Sequence, residues 1–573
     1  MRLTSEQREA ARCDEDMMLT ACPGSGKTRV IISKLSRAID DVRDTARAAA
    51  CITYTNAAVH EIETRLRHHI QPGDDLYYDV CTIHSFCLNH IFRPFCHLIE
   101  GYKHGFKVLT PESAEFEQHV AAVLEAFGRP VVAASDLEDF SQLRVSLDGT
   151  PVGYGIEHGG LTSEIAIAFW KRIRKAGFID FANIIYYSFL LLRDRPEILG
   201  YVSAKFAWIL VDEFQDTTDL QVEILSLIAV RKRTSFFLVG DPCQSIFSFA
   251  GARPDLADEF AARIGARTDL VLSGNFRSST PIIDHANLLY PRVPAMTAVG
   301  AAKAFTEAPQ WQHADNAFEV LTDHFLPALD ALDIPHGEAA VLAPTWVSLF
   351  QLGRRLREYG ISVVGPGARP YRKNRQFAPL AEQICGFMME PRPEALIGIE
   401  RTLFNTLLDI TGRASFNIFS YAGRVTVFRL IYEAQSLQTL HPGAIAWLEA
   451  AAERFAALLV GDGYLSPAEQ DLFRTSVEEM KADMRKNKVD LANLTTDDHN
   501  AKGREYQAVA MVDVHEGRIP FYQAQTAAEF EEAKRLFYVG VTRAKRLLFY
   551  VTDRSHARNQ PSRFLQSGGV RVC

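Results

Sequence analysis

The chain has 573 residues, a hydrophobic share of 47% and a formal charge of -8 from 62 Lys and Arg against 70 Asp and Glu. This composition excludes a disordered or collagen-like chain and leaves material for several cores; any nucleic-acid contact must come from a local basic surface. Met1 to Met18 carries Glu6, Glu9, Asp14, Glu15 and Asp16 without an apolar centre, so no secretory signal is expected there. The most apolar stretch, Phe178 to Leu192, is interrupted by Asp180 and Asn183 and is too short for a bilayer. A cytoplasmic protein without a membrane partner is expected, its nine scattered cysteines reduced.

In chain order, the first informative element is the apolar run Met17-Met18-Leu19-Thr20. It leads into Ala21-Cys22-Pro23-Gly24-Ser25-Gly26-Lys27-Thr28 and then the helix-like Arg29 to Leu35. Strand, glycine-rich turn and helix form the setting of a phosphate-binding loop. Backbone N–H groups at the helix N-terminus cradle phosphates, Lys27 reaches the terminal phosphates, and the Thr28 hydroxyl holds Mg²⁺. Next come Cys81, His84, Cys87, His90 and Cys96, which could ligate zinc; their spacing of three on a helix favours one buried face instead.

A second apolar strand, Ala207 to Val211, runs into Asp212-Glu213-Phe214-Gln215-Asp216. Beside a phosphate loop, Asp212 suits Mg²⁺ and Glu213 suits orienting and deprotonating water. A third strand, Ser235 to Val239, ends in Gly240-Asp241-Pro242-Cys243-Gln244. Apolar strands ending in polar loops, with helices between them, predict an open parallel α/β sheet with its ligands at the strand C-termini.

Taken together, these residues resemble the superfamily 1A DNA helicases of the UvrD/Rep/PcrA type, and the motif series runs in order. Leu3 to Gln7 resembles the Q motif, in which an amide reads adenine. Thr53 to Ala58, with Glu61 and Arg65-Leu66, resembles motif Ia, and Cys81 to Phe86 motif Ib. Motifs II, III and IV are resembled by Asp212 to Asp216, Gly240 to Phe249 and Asn275 to Ser278; motifs V and VI by His499 to Tyr506 and Arg535 to Ala544. Two positions depart from the family pattern. Ala250 stands where arginine is usual after motif III, and Asp497, preceded by Thr496, stands where threonine is usual in motif V.

The resemblance implies an α/β protein of two RecA-like P-loop lobes with parallel sheets, each lobe carrying a mostly helical insertion. It places the first lobe at 1–91 and 164–274, its insertion at 92–163, the second lobe at 275–385 and 487–573, and a short helical insertion at 386–486. Apolar spacing of three and four through Ile445, Leu448, Ala452, Phe455 and Leu459 supports helices in the last. No appended nuclease is expected after motif VI. ATP with Mg²⁺ is implied as cofactor. Gln7, Pro23, Gly24, Ser25, Gly26, Lys27, Thr28 and Arg29 would meet it from the first lobe, with Asp212, Glu213 and Gln244. Phe276 would stack on adenine, Glu505 would contact the ribose, and Arg277 and Arg543 would touch the γ-phosphate across the cleft. By family position Tyr54, Phe86, Phe247, Phe249 and His499 would contact DNA, with basic residues between Glu531 and Arg563 adding backbone contacts. The implied activity is ATP-driven 3′ to 5′ movement on single-stranded DNA and DNA junctions. The alternative is a helicase-like ATPase that works with a partner nuclease, as does the GajB subunit of the Gabija anti-phage system.

Overall fold

The computed structural model describes residues 3–570 except 72, 112, 130–131, 248–250, 362, 364–376, 390, 392, 412–415, 417, 488–504, 523, 554–559 and 568–569. The chain divides into two compact units, one of Met1–Phe106, His119–Thr345 and Asn500–Cys573, the other of Lys107–Gln118 and Trp346–His499. Among the described residues no helix is long and apolar enough to cross a membrane.

The first unit is built on two parallel sheets. Strands β1 (Met17–Ala21), β2 (Ala48–Thr53), β3 (Tyr78–Thr82), β4 (Phe206–Val211), β5 (Ser235–Gly240) and β6 (Val271–Leu272) form the larger sheet in the order β6-β1-β5-β4-β2-β3. Every pairing in it is parallel, with Leu19 beside Val239, Leu210 beside Phe237 and Cys51 beside Leu210. Leu19, Ala49, Cys51, Ile209, Leu210, Phe237 and Val239 are fully buried. Strands covered on both faces read as unbroken apolar runs, which is why β4 and β5 are visible in the sequence. Because all six strands run the same way, the loops after β1, β2, β4 and β5 gather along one edge.

The second sheet consists of β7 (Gln310–Ala314), β8 (Ala339–Leu342), β9 (Tyr506–Met511) and β10 (Ala544–Asp553), in the order β7-β10-β9-β8 and again parallel throughout. Glu505 immediately precedes β9 and Arg543 immediately precedes β10, so both stand at strand beginnings. The helix Ala527–Val541 leads into Arg543; its N-terminus is fixed by a reciprocal cap between Thr526 and Glu529.

The segment expected to be a helical insertion, 92–163, is more mixed than that. It holds helices at Ala114–Ala126 and Ala134–Ser141 and an antiparallel hairpin pairing Arg144–Val145 with Pro151–Val152. The second unit is helical, with helices at Trp346–Glu358, Ala378–Met389, Pro393–Thr411, Tyr421–Leu440, Ala444–Gly461 and Gln470–Asn487. It begins well before position 386, because Phe377, Leu380, Ala381 and Ile384 pack in one core with Leu403, Leu430, Trp447, Phe455 and Phe473. Trp447 is fully buried and donates its indole N–H to Ala434 O at 3.0 Å, which satisfies its one polar atom inside that core.

Candidate nucleotide site and strand-facing surface

The loop after β1 has the backbone that a phosphate cradle needs. Gly24 and Gly26 take φ of +67° and +81°, and the helix Lys27–Val42 starts at Gly26 without a side-chain cap. Its first N–H groups therefore remain for a ligand. Side chains at the two glycines would also collide with their surroundings. A Cβ on Gly24 would lie 2.7 Å from both Arg277 Cβ and Asn275 Oδ1, and one on Gly26 would lie 2.8 Å from Gln7 Nε2. Ser25 is buried, and its hydroxyl has no oxygen or nitrogen partner among the described residues. An orphaned hydroxyl inside an uncapped loop suits an entering phosphate.

Gln7 braces this loop. It is the third residue of the helix Ser5–Arg12, whose cap is Thr4, and its Oε1 accepts the Thr4 N–H at 3.0 Å while Nε2 donates to Ser25 O at 2.7 Å. One amide proton and one lone pair remain for a base. Phe276 is half-buried and its N–H donates to Gly24 O at 2.8 Å, fastening motif IV to the loop. Pro23 is buried, whereas Arg29 is exposed.

At the end of β4 the backbone bends sharply. Glu213 adopts φ 51° and ψ 44°, a left-handed conformation that costs a non-glycine residue about 1 kcal/mol or more. Two hydrogen bonds hold it there: its N–H donates to Asp212 Oδ1 at 2.9 Å, and its Oε2 accepts from Gln215 Nε2 at 2.6 Å. The same Oε2 lies 3.2 Å from Lys27 Nζ. Burial, followed by the charge of Glu213, pushes Asp212 up to about 7 against the pull of Lys27. Burial also works against the Lys27 cation, yet Glu213, Asp241 and Asp212 together hold it above the ordinary lysine range. A buried carboxylate that resists ionisation beside a phosphate loop suits a divalent cation, and Thr28 is the adjoining hydroxyl.

Two further residues tie the strand ends together, and the sequence alone assigned them no role. Gln215 is fully buried; besides contacting Glu213 it accepts the Asp241 N–H at 2.9 Å, and its carbonyl accepts from Ser245 Oγ at 3.1 Å. It thus spans the loops after β4 and β5. Arg292 places Nη2 2.8 Å from Asp241 Oδ1 and 2.9 Å from the Tyr538 hydroxyl oxygen. The signal for Gln215 was present as a polar amide inside the Asp212 to Asp216 motif, whereas Arg292 lies outside every motif.

Gln244 donates to Asp241 Oδ2 at 2.6 Å and accepts from Arg543 Nη2 at 2.9 Å, so the loop after β5 touches the residue that opens β10. Arg543 is 2% exposed. Burial, followed by the charge of Arg277, pushes it down to about 9. Arg277 donates to Thr542 O at 2.8 Å and pairs with Glu505 Oε2 at 3.3 Å, which Lys545 approaches at 3.4 Å. Partial desolvation opposes its ionisation, yet these two cations hold the Glu505 carboxyl below its usual range. The residues expected around a nucleotide therefore converge. Glu505 meets Arg277 and Lys545, an ion pair that a ribose contact would have to share.

The residues expected to meet DNA divide. Tyr54 and Phe247, both half-buried, stack with ring centroids 4.5 Å apart and 26° between planes. Burial, then Asp216, pushes the Tyr54 hydroxyl up to about 12. Phe86 is fully buried, 5.2 Å from the ring of Phe206 and 5.4 Å from that of His90. It offers no free face, and the expected base contact is replaced by a core role. Phe249, Ala250, Thr496, Asp497 and His499 lie outside the described residues. In the Cys81 to Cys96 stretch, Cys81 and Cys87 are buried and His90 pairs with Asp79 at 2.5 Å; among the described residues no three potential metal ligands converge.

Comparison with known proteins agrees with this geometry. Residues 3–264 match the UvrD/REP helicase N-terminal domain and residues 472–555 the UvrD-like helicase C-terminal domain. The ATP-dependent DNA helicase Rep of Escherichia coli K12 is 24% identical over 99% of this chain and 94% of its own length. Rep of Salmonella typhimurium is 29% identical, with 51% of this chain and 44% of that protein covered. The ATP-dependent DNA helicase PcrA of Staphylococcus epidermidis is 26% identical over 50% of this chain and 39% of its own length. The two domain matches take in strands β1 to β5 of the larger sheet and β9 and β10 of the second, and together cover more than half of the sequence, so the chain belongs to the UvrD/Rep type of superfamily 1A helicases.

Proposed function

We propose that this chain hydrolyses ATP with Mg²⁺ and uses the cycle to move 3′ to 5′ along single-stranded DNA, opening duplex at junctions. The observation that carries the reading is the contact between Arg543 and Gln244, which joins the start of β10 to the end of β5 beside the Lys27–Glu213 pair. A triphosphate entering the cradle would draw Lys27 from Glu213, leaving that carboxylate to orient a water and take its proton. Thr28 and Asp212 would hold the cation, which neutralises phosphate charge when bound. Arg277 and Arg543 supply positive charge where negative charge develops, and the entering anion relieves the mutual repulsion and burial that disfavour the Arg543 cation.

Coupling follows from where these groups are mounted. Lys27, Glu213 and Gln244 follow strands of the larger sheet, Glu505 and Arg543 precede strands of the second, and Arg277 is bonded to Thr542 O beside Arg543, so a change of phosphate state alters the contacts between the sheets. Gln215 and Ser245 connect that site to the loop carrying Phe247, which stacks on Tyr54. Stacking on aromatic faces grips a strand without reading its sequence, as a translocating protein requires.

The direct test is displacement of streptavidin from biotinylated single strands. ATP-dependent displacement from a 5′ end, with little from a 3′ end, is the expected result. Displacement from the 3′ end alone would refute the polarity. A tailed duplex that opens only when a partner nuclease is added would assign the chain to the subunit class instead.

A further inference from the structure

The loop Gln244 to Ala252, which carries Phe247, contains no Lys or Arg. The next cation, Arg253, is committed to Asp219 Oδ1 at 2.9 Å and Asp255 Oδ2 at 2.5 Å. An aromatic stack alone grips bases but leaves the phosphates unmatched. A guanidinium nevertheless reaches this loop from elsewhere in the chain.

Arg144 belongs to the short hairpin inside the first insertion. Its neighbours Leu143 and Val145 are buried, so strand alternation sends Arg144 to the opposite face. The hairpin is locked by its own turn, in which the Ser146 N–H donates to Thr150 O at 2.9 Å and the Thr150 N–H to Asp148 Oδ1 at 3.2 Å. The guanidinium lies directly over Gly251: a Cβ built there would overlap Arg144 Nη1 and sit 2.7 Å from Cζ. It also lies close enough to Tyr54 for each to influence the other's protonation.

Arg144 has bonding capacity to spare. Its Nε is buried with no hydrogen-bond partner among the described residues, and its ion pair with the largely exposed Glu157 is long, at 3.8 Å. Rigidly mounted, partly desolvated and weakly paired, it differs from a surface cation free to wave in solvent.

We infer that Arg144 is a phosphate-binding residue for the strand that stacks at Tyr54 and Phe247, supplied by the insertion to a loop that has no cation of its own. The inference rests on the proposed single-strand binding. Gly251 is then required to be glycine in part because any side chain would displace the guanidinium.

The test is a fluorescence-anisotropy titration of the full chain with labelled oligo-dT and with a mixed-sequence oligonucleotide, across a series of salt concentrations. Arg144→Ala should weaken both by the same factor, about tenfold. It should also flatten the slope of log affinity against log salt by about 0.7, the loss of one phosphate contact. Arg144→Lys should restore most of the slope. Glu157→Ala, which removes the competing carboxylate, should leave binding equal or tighter, whereas a purely structural Arg144–Glu157 pair would make this variant as weak as Arg144→Ala. Phe247→Ala should weaken binding with the salt slope unchanged. If wild type and Phe247→Ala differ but Arg144→Ala keeps the wild-type slope and affinity, this inference fails and single-strand binding stands. If wild type binds neither oligonucleotide, both fail. Thermal melts of each variant separate lost contacts from lost fold.

Discussion

The two working regions of the first unit are built on opposite principles. Around the phosphate loop, polar groups are bound to one another: Lys27 to Glu213, Glu213 to Gln215, Gln215 to Asp241, Asp241 to Arg292 and Gln244, and Gln244 to Arg543. Around Tyr54 and Phe247 there are two stacked rings and a guanidinium with an unfilled donor. Phosphoryl transfer rewards groups fixed before the substrate arrives, since charge must be met without reorganisation. Holding a strand of any sequence rewards surfaces with unused faces and unused donors. Substitutions in the wired region should therefore change turnover, and substitutions in the open region should change affinity.

The largest departure is expected from Arg543→Ala. On the proposed reading of Arg543 as the cation that meets the transferring phosphate, its loss should lower DNA-stimulated kcat by about a thousandfold or more, with a smaller change in nucleotide affinity. Arg543→Lys should recover only part, because an ammonium lacks the planar fork whose Nε and Nη2 reach Val539 O and Gln244 from separate nitrogens. Steady-state kinetics check this, and a loss of less than tenfold would place Arg543 outside the chemistry.

A smaller effect is expected from Gln215→Ala. It frees the Glu213 carboxylate and leaves the buried Asp241 N–H without its acceptor, a stability cost of about 1–3 kcal/mol. With Glu213 as the proposed base, its misplacement should cut kcat by about 10- to 100-fold with nucleotide binding nearly unchanged. A variant that loses stability in a denaturant titration yet turns over normally would show that the wiring braces the fold and not the reaction.

The smallest effect concerns His84, two residues beyond β3 and edge-on to Phe181 at 5.6 Å. Burial pushes its imidazole down to about 4. An unfolded histidine titrates near about 6.5, so between these values the unfolded chain binds more protons and stability rises with pH. Relative to His84→Gln, wild type should lose about 1–2 kcal/mol as pH falls from about 6.5 to about 4, less than full burial would give. Chemical denaturation across that range measures it, and parallel profiles for the two proteins would contradict a buried neutral ring.

How far the sequence could be read follows from the same contrast. The phosphate loop, the carboxylates after β4 and the strands themselves are contiguous patterns of residue type, so Lys27, Asp212, Glu213 and Gln244 stand where their motifs put them. Phe86 shows where such reading stops. An aromatic in a motif looks the same in sequence whichever way it points, and only packing against Phe206 and His90 reveals a core residue. Gln215, Arg292 and Arg144 act through partners 26, 51 and 107 positions away in the sequence, at Asp241 and Gly251. No local pattern encodes such convergence. The early start of the helical unit had a similar cause: Phe377, Leu380, Ala381 and Ile384 read as ordinary apolar residues until their shared core with Trp447 was visible.

The central claim is that the wired region hydrolyses ATP through Glu213, and one experiment addresses it most directly. ATP turnover with and without oligo-dT is measured for wild type and Glu213→Gln, alongside titration of each with a fluorescent nucleotide. Oligo-dT should stimulate wild type, and the variant should bind nucleotide as wild type does while its kcat falls by about 100-fold or more under both conditions. Turnover by Glu213→Gln at the wild-type rate would contradict the account.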